Sequence, residues 1–195
     1  MTHILPQREG ERPLMLRGQP HRQIDQLPPS INDPDWARLN AGLMASVFGT
    51  TSDHADASTA DVKRMPWLVY PPQRTGCGVF RSVDSLYEGT GAKSLRFTPS
   101  SFCKCCDDVV DRKGEWAHVH RLDRSWHVLL SPADTAAVLQ SGYGEIWPVA
   151  ALGWVPVGYV LIYAPRNPEE IEVLLRILEA SWMYCAHEWE GSGRE

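Results

Sequence analysis

The sequence predicts an α+β domain: a mostly antiparallel sheet with helices packed on one face, preceded by an extended proline-rich arm. Three observations predict it. Two pairs of strand-like runs are joined by short turn-forming segments, and hairpins of that kind impose antiparallel pairing. Two capped helical runs come late in the chain, each following a strand. The first 30 residues hold five prolines (6, 13, 20, 28 and 29) and little apolar periodicity, which suits an extended arm rather than a packed element. The arm is assigned to residues 1–30 and one domain to 31–190.

Taken in order, Asn32-Asp33-Pro34 is a helix start, with Asp33 as N-cap and proline at the first helical position. Trp36, Leu39, Leu43 and Val47 follow at helical spacing, to near Gly49. Residues 50–64 are small and polar and read as a loop. Trp67–Tyr70 and Gly78–Phe80 flank a PPQRTGCG turn and form the first hairpin. The span 82–111 reads as an irregular insertion with one short strand at Ser94–Phe97. A second hairpin lies between Glu115 and Leu130. Ser131-Pro132-Ala133-Asp134 is a capping box for a helix reaching Gln140 and closed by Ser141-Gly142. Gly144–Pro148 leads into a loop, and Val157–Tyr163 is a buried strand. Asn167-Pro168-Glu169-Glu170 repeats the capping logic. Ile171, Leu174, Leu175, Leu178, Trp182 and Cys185 then form the apolar stripe of a long last helix.

A chain of 195 residues buries roughly 70% of its unfolded surface and needs no disulfide or metal to fold. With 43% hydrophobic and 22% charged residues, it has the profile of an ordinary globule. The net charge of −5 argues against a nucleic-acid partner, because no basic stripe is available for phosphates. No run reaches the ~18 apolar residues of a membrane span, and no signal sequence is evident. A reduced, cytoplasmic protein is therefore expected. The five cysteines are odd in number. Cys103, Cys105 and Cys106 lack the second C-x-x-C pair of a structural zinc site and read as free thiols, as do Cys77 and Cys185. Eight tryptophans suit a thick core or an aromatic-lined pocket.

Three of the seven histidines, His118, His120 and His127, fall within ten residues. Strand alternation puts His118 and His120 on one face. A turn about Asp123-Arg124 sets His120 opposite His127, so all three imidazoles share that face; a slip of one residue would remove His127. Three neutral imidazoles suit a divalent metal, Fe²⁺ or Zn²⁺. A single imidazole near neutral pKa is enough to deprotonate an enol. The plain alternative is three hydrogen-bonded residues of a half-buried sheet. No dinucleotide, Walker or G-x-S-x-G motif is present.

Several stretches resemble the luciferase domain of fungal bioluminescence and its non-luminous relatives: AHVH (117–120), WHVLLSPAD (126–134), GYGE (142–145), YAPRN (163–167) and the EE…ILEAS run (169–181). The resemblance covers roughly 115–185, and the arm segment 8–26 is also similar. It implies an oxygen-dependent oxygenase acting on an electron-rich enolic or aromatic, pyrone-like metabolite, with O2 as co-substrate and no organic cofactor. His118, His120 and His127 are then the candidate catalytic residues or metal ligands. Trp126, Tyr143 and Trp147 are candidates to stack on a flat substrate, or equally to be plain core, and Arg166 to hold an enolate, or else to pair with Glu169 or Glu170. The family pattern Gly-Trp-Gly-x-x-His-Pro is here Gly142–Pro148 with Trp147 in place of histidine, so little light from 3-hydroxyhispidin is expected. A non-catalytic small-molecule-binding or interaction domain of the same fold is the other reading. The substrate and the oligomeric state are left open.

Overall fold

The computed structural model describes residues 5–16, 21–27, 80–88, 92–97 and 113–186. The helix expected from Asp33, the strand at 67–70 and the cysteines at 77, 103, 105 and 106 lie outside these. Two arm strands, β1 (Met15–Leu16) and β2 (Arg22–Gln23), pair with each other. The main sheet comprises β3 (Phe80–Asp84), β4 (Lys93–Phe97), β5 (Glu115–Val119), β6 (Trp126–Leu129), β7 (Gly144–Ile146) and β8 (Tyr159–Ile162). Its order is β3-β4-β5-β6-β8-β7, and every pairing is antiparallel. Helix α1 (Pro132–Gln140) follows β6, and α2 (Pro168–Ala186) closes the described chain.

The α+β architecture follows from two rows of residues running across the strands. Leu95, Ala117, Val128, Val160 and Ile146 are register partners in sequence across β4, β5, β6, β8 and β7. The first four are buried apolar residues, in one cluster with Val138 of α1 and Ile171, Leu174, Leu178 and Trp182 of α2. The adjacent row, Ser94, His118, His127, Leu161 and Glu145, points to the other face. The helices thus cover one face, and the histidines occupy the opposite one.

The helix ends match the capping signals. The Asp134 amide donates to Ser131 Oγ at 3.1 Å, and that hydroxyl donates to Asp134 Oδ2 at 2.5 Å. The Glu170 amide donates to Asn167 Oδ1 at 2.8 Å. Gly142 closes α1 at φ 77°, in the left-handed region. Two expectations need correcting. Gly144–Ile146 is an edge strand on β8 rather than the start of a loop. The histidine hairpin pairs His118 with His127, two residues away from the expected register, and a shift of two preserves the face.

Gly144 is hemmed in by β8 and by Val138 of α1. A Cβ there would lie 2.3 Å from the Leu161 carbonyl oxygen and 3.1 Å from Val138 Cγ1. Backbone cannot yield cheaply, so Gly144→Ala is expected to lower unfolding free energy by about 1–3 kcal/mol in urea titrations.

Candidate functional site

A β-bulge shapes the site. Arg96 pairs with Glu115 while Leu95 pairs with Ala117, leaving Trp116 as an extra residue on β5. The insertion breaks strict alternation. Trp116 stacks on Phe97 at a centroid distance of 5.8 Å, while Glu115 turns to the histidine face and places Oε1 3.0 Å from His118 Nδ1. Glu115 is fully buried and also accepts from Ser85 Oγ at 2.8 Å, the Leu86 amide at 3.0 Å and Arg96 at 3.3 Å. Burial works to raise its pKa, but His118 and the Leu86 and Ser85 donors win and hold it below the ordinary value.

The hairpin brings the three imidazoles together at 0–1% exposure. His127 Nδ1 is 3.2 Å from His118 Nε2 and 3.2 Å from His120 Nε2. Glu88, just beyond β3, adds Oε1 at 3.6 Å from His118 Nε2 and 3.5 Å from His120 Nε2. One donor atom from each of the four residues lies within 4.8 Å of the others. Burial tends to raise Glu88, yet the His118 hydrogen bond and the charges of His120, His118 and Arg22 hold it down at about 2.

Behind each ring stands a partner. His118 Nδ1 meets Glu115 and, at 2.9 Å, the Tyr159 hydroxyl. His120 Nδ1 meets Ser125 Oγ at 2.8 Å and Asp123 Oδ1 at 3.5 Å. Burial pulls the His120 pKa down, more than Asp123 raises it. His127 Nε2 meets His21 Nδ1 of the arm at 3.3 Å, and His21 Nε2 meets Glu145 Oε1 at 2.9 Å. The arm is tied down here as well, since the Gln23 amide donates to Asp123 Oδ2 at 2.8 Å and Gln23 Oε1 accepts from the Ala164 amide at 3.0 Å.

Of the candidate aromatic residues, Trp147 joins the cluster, stacking on His127 at 5.3 Å and on His21 at 5.7 Å. Trp126 does not. It is the register partner of Val119 and Ile162, fully buried in the core cluster on the helix side, the plain-core alternative for this residue. Tyr143 is buried near Arg8, Glu170 and Arg166, where burial and Glu170 raise its phenol. Arg166 binds Glu170 through Nε at 2.9 and 3.1 Å and the Glu9 carbonyl at 2.9 Å; it acts as a clasp between arm and α2.

Glu88, Glu115, His21 and Glu145 were not among the candidates. Only GYGE and the arm segment, both within the resemblance, pointed towards two of them. Glu115 sits three residues from His118, a spacing that a regular strand assigns to opposite faces.

Residues 113–181 match the family model described as the Luciferase domain. The luciferases of Armillaria mellea and Neonothopanus nambi are each 38% identical over 88 residues, 44% of this chain and 33% of the relative. That of Armillaria ostoyae is 37% identical over 89 residues, 44% of this chain and 34% of the relative. The chain therefore matches only about a third of the length of these curated relatives. No solved structure matches it.

Proposed function

We propose that this chain, whose residues 113–181 match the luciferase domain, is an oxygenase that acts on a small enolic or electron-rich aromatic metabolite at the His118–His120–His127 cluster. The observation that carries this reading is the convergence of three buried imidazoles, of which His127 stacks on the Trp147 ring. An enol becomes reactive towards O2 when it loses its proton and the enolate is held beside positive charge. His120, whose pKa burial lowers, is neutral at pH 7 and accepts that proton at Nε2. The imidazolium formed then faces the enolate oxygen in a dry site, where the attraction is strong. The enolate supplies the electrons, so the substrate is oxidised and O2 is reduced. Trp147 offers an indole wall for a flat ring.

Oxygen uptake with a panel of hydroxypyrones and catechols tests this. At least one compound is expected to drive uptake, with His120→Ala at least about a hundredfold slower. Light from 3-hydroxyhispidin is expected to be slight and to rise in Trp147→His, because indole only donates an N–H and does not titrate near neutrality as imidazole does. Strong light from the unmodified chain would remove Trp147 from the argument. The near-complete burial of the histidines favours a second reading, a binding module without chemistry. Tight binding of the panel compounds with no uptake would establish that one instead.

A further inference from the structure

We propose that Glu88, His118, His120 and His127 hold one divalent first-row transition-metal cation, zinc or ferrous iron, with Glu88 as a monodentate fourth ligand. The argument starts from where the protons sit. The Glu115 carboxylate oxygen 3.0 Å from His118 Nδ1 accepts from that nitrogen and leaves Nε2 facing the cluster. Asp123 and Ser125 do the same for His120 Nδ1. Glu145 Oε1 accepts from His21 Nε2, so His21 Nδ1 accepts from His127 Nε2 and His127 Nδ1 faces the cluster. Every ring thus turns one supported nitrogen outwards and the other inwards to the cluster.

Glu88 behaves likewise. Its Oε2 accepts from Arg22 Nη2 at 2.5 Å, while Oε1 faces the imidazoles. Four ligand atoms then converge, and the proton that His118 shares with Glu88 is one that an entering cation would displace. The spacing fits one. A tetrahedral ion with ligands about 2.05 Å away holds neighbouring donors about 3.3 Å apart, and four of these separations are 3.2, 3.2, 3.5 and 3.6 Å. Imidazole backed by carboxylate is the usual support of a ligating histidine. Three nitrogens and one carboxylate oxygen suit zinc and iron rather than calcium or magnesium.

With the ion bound, His120 Nε2 is a ligand and no longer takes the enol proton, which would pass to solvent, and the ion would stand in the imidazolium's place as the positive charge beside the enolate; that use in catalysis rests on the proposed function, and the binding does not. The full-length chain, stripped with a chelator, is dialysed against Zn²⁺, Fe²⁺ (without oxygen), Mn²⁺ or Co²⁺ and assayed for metal content. About one equivalent of zinc or iron per chain is expected to be retained, with Co²⁺ giving the intense visible bands of a four-coordinate site. Glu88→Gln and His120→Ala are expected to weaken affinity more than a hundredfold, and His21→Ala, behind His127, by about ten- to a hundredfold. Circular dichroism separates lost ligation from lost folding. The unmodified protein needs no such control: a folded chain retaining less than about a tenth of an equivalent overturns the proposal. Glu88→Gln with unchanged affinity overturns the fourth ligand. One equivalent bound without oxygen uptake overturns the oxygenase reading and leaves the metal site standing.

Discussion

Trp126→Ala is expected to lower unfolding free energy by about 3–5 kcal/mol, a large share of the roughly 5–15 kcal/mol that a domain of this kind possesses. The indole is fully buried in the central strand pair, between Val119 and Ile162 in register, and it belongs to the cluster shared with α2. Truncation leaves a cavity that two strands and a helix cannot close together. Trp126→Phe is expected to recover most of the loss. Neither change is expected to alter affinity for substrate or metal once the protein is folded, because the side chain points away from the imidazoles. Urea titration alongside a binding isotherm checks both halves. Weakened binding by a stable Trp126→Phe would return this residue to the site.

Asp123→Ala is expected to be the next most damaging change, at about 2–4 kcal/mol, for a polar reason. Its carboxylate is nearly fully buried and accepts from the Gln23 amide at 2.8 Å and the Ser125 amide at 3.2 Å while steadying His120. Without it, buried donors lose their acceptor, and each costs about 1–3 kcal/mol. The effect depends on pH. Burial tends to raise Asp123, but His120 and the Ser125 donors hold its folded pKa below the ordinary 3.8. A depressed carboxylate stabilises the fold above its unfolded value and loses that contribution as pH falls through the folded one. The gap between unmodified and Asp123→Ala stabilities is therefore expected to be full at pH 7 and to shrink below about pH 3.8. A gap that stays constant through acid would show that the charge is irrelevant.

Where the sequence was legible, local rules sufficed. The caps at Ser131 and Asn167 and the stripe from Ile171 to Cys185 need only neighbouring residues to be read. The face shared by the histidines was legible from alternation, and the same rule applied to Trp126 would have placed it opposite His127. Register was not legible, because the turn spans four residues and is closed by the Arg124 amide donating to the His120 carbonyl at 3.1 Å. Arg124 takes φ 61°, a left-handed conformation that glycine or asparagine would have advertised and arginine conceals. Glu115 was hidden by a bulge that no residue type announces. Glu88 and His21 reach the site from distant parts of the chain, and no periodicity encodes such a meeting.

The contact between His127 and His21 closes a loop of 106 residues, and this separates acquiring the fold from acquiring the site. Loop-closure entropy delays contacts of such span, whereas the β5–β6 hairpin and α1 need only near neighbours. During synthesis the arm emerges before its docking surface, which includes Asp123, Ser141, Glu145 and Ala164, and must wait for it. A piece trimmed to the boundaries of the family match would keep the hairpin, both helix caps and most of the core. It would also lack Glu88 and His21, and so have three histidines with nothing to complete them.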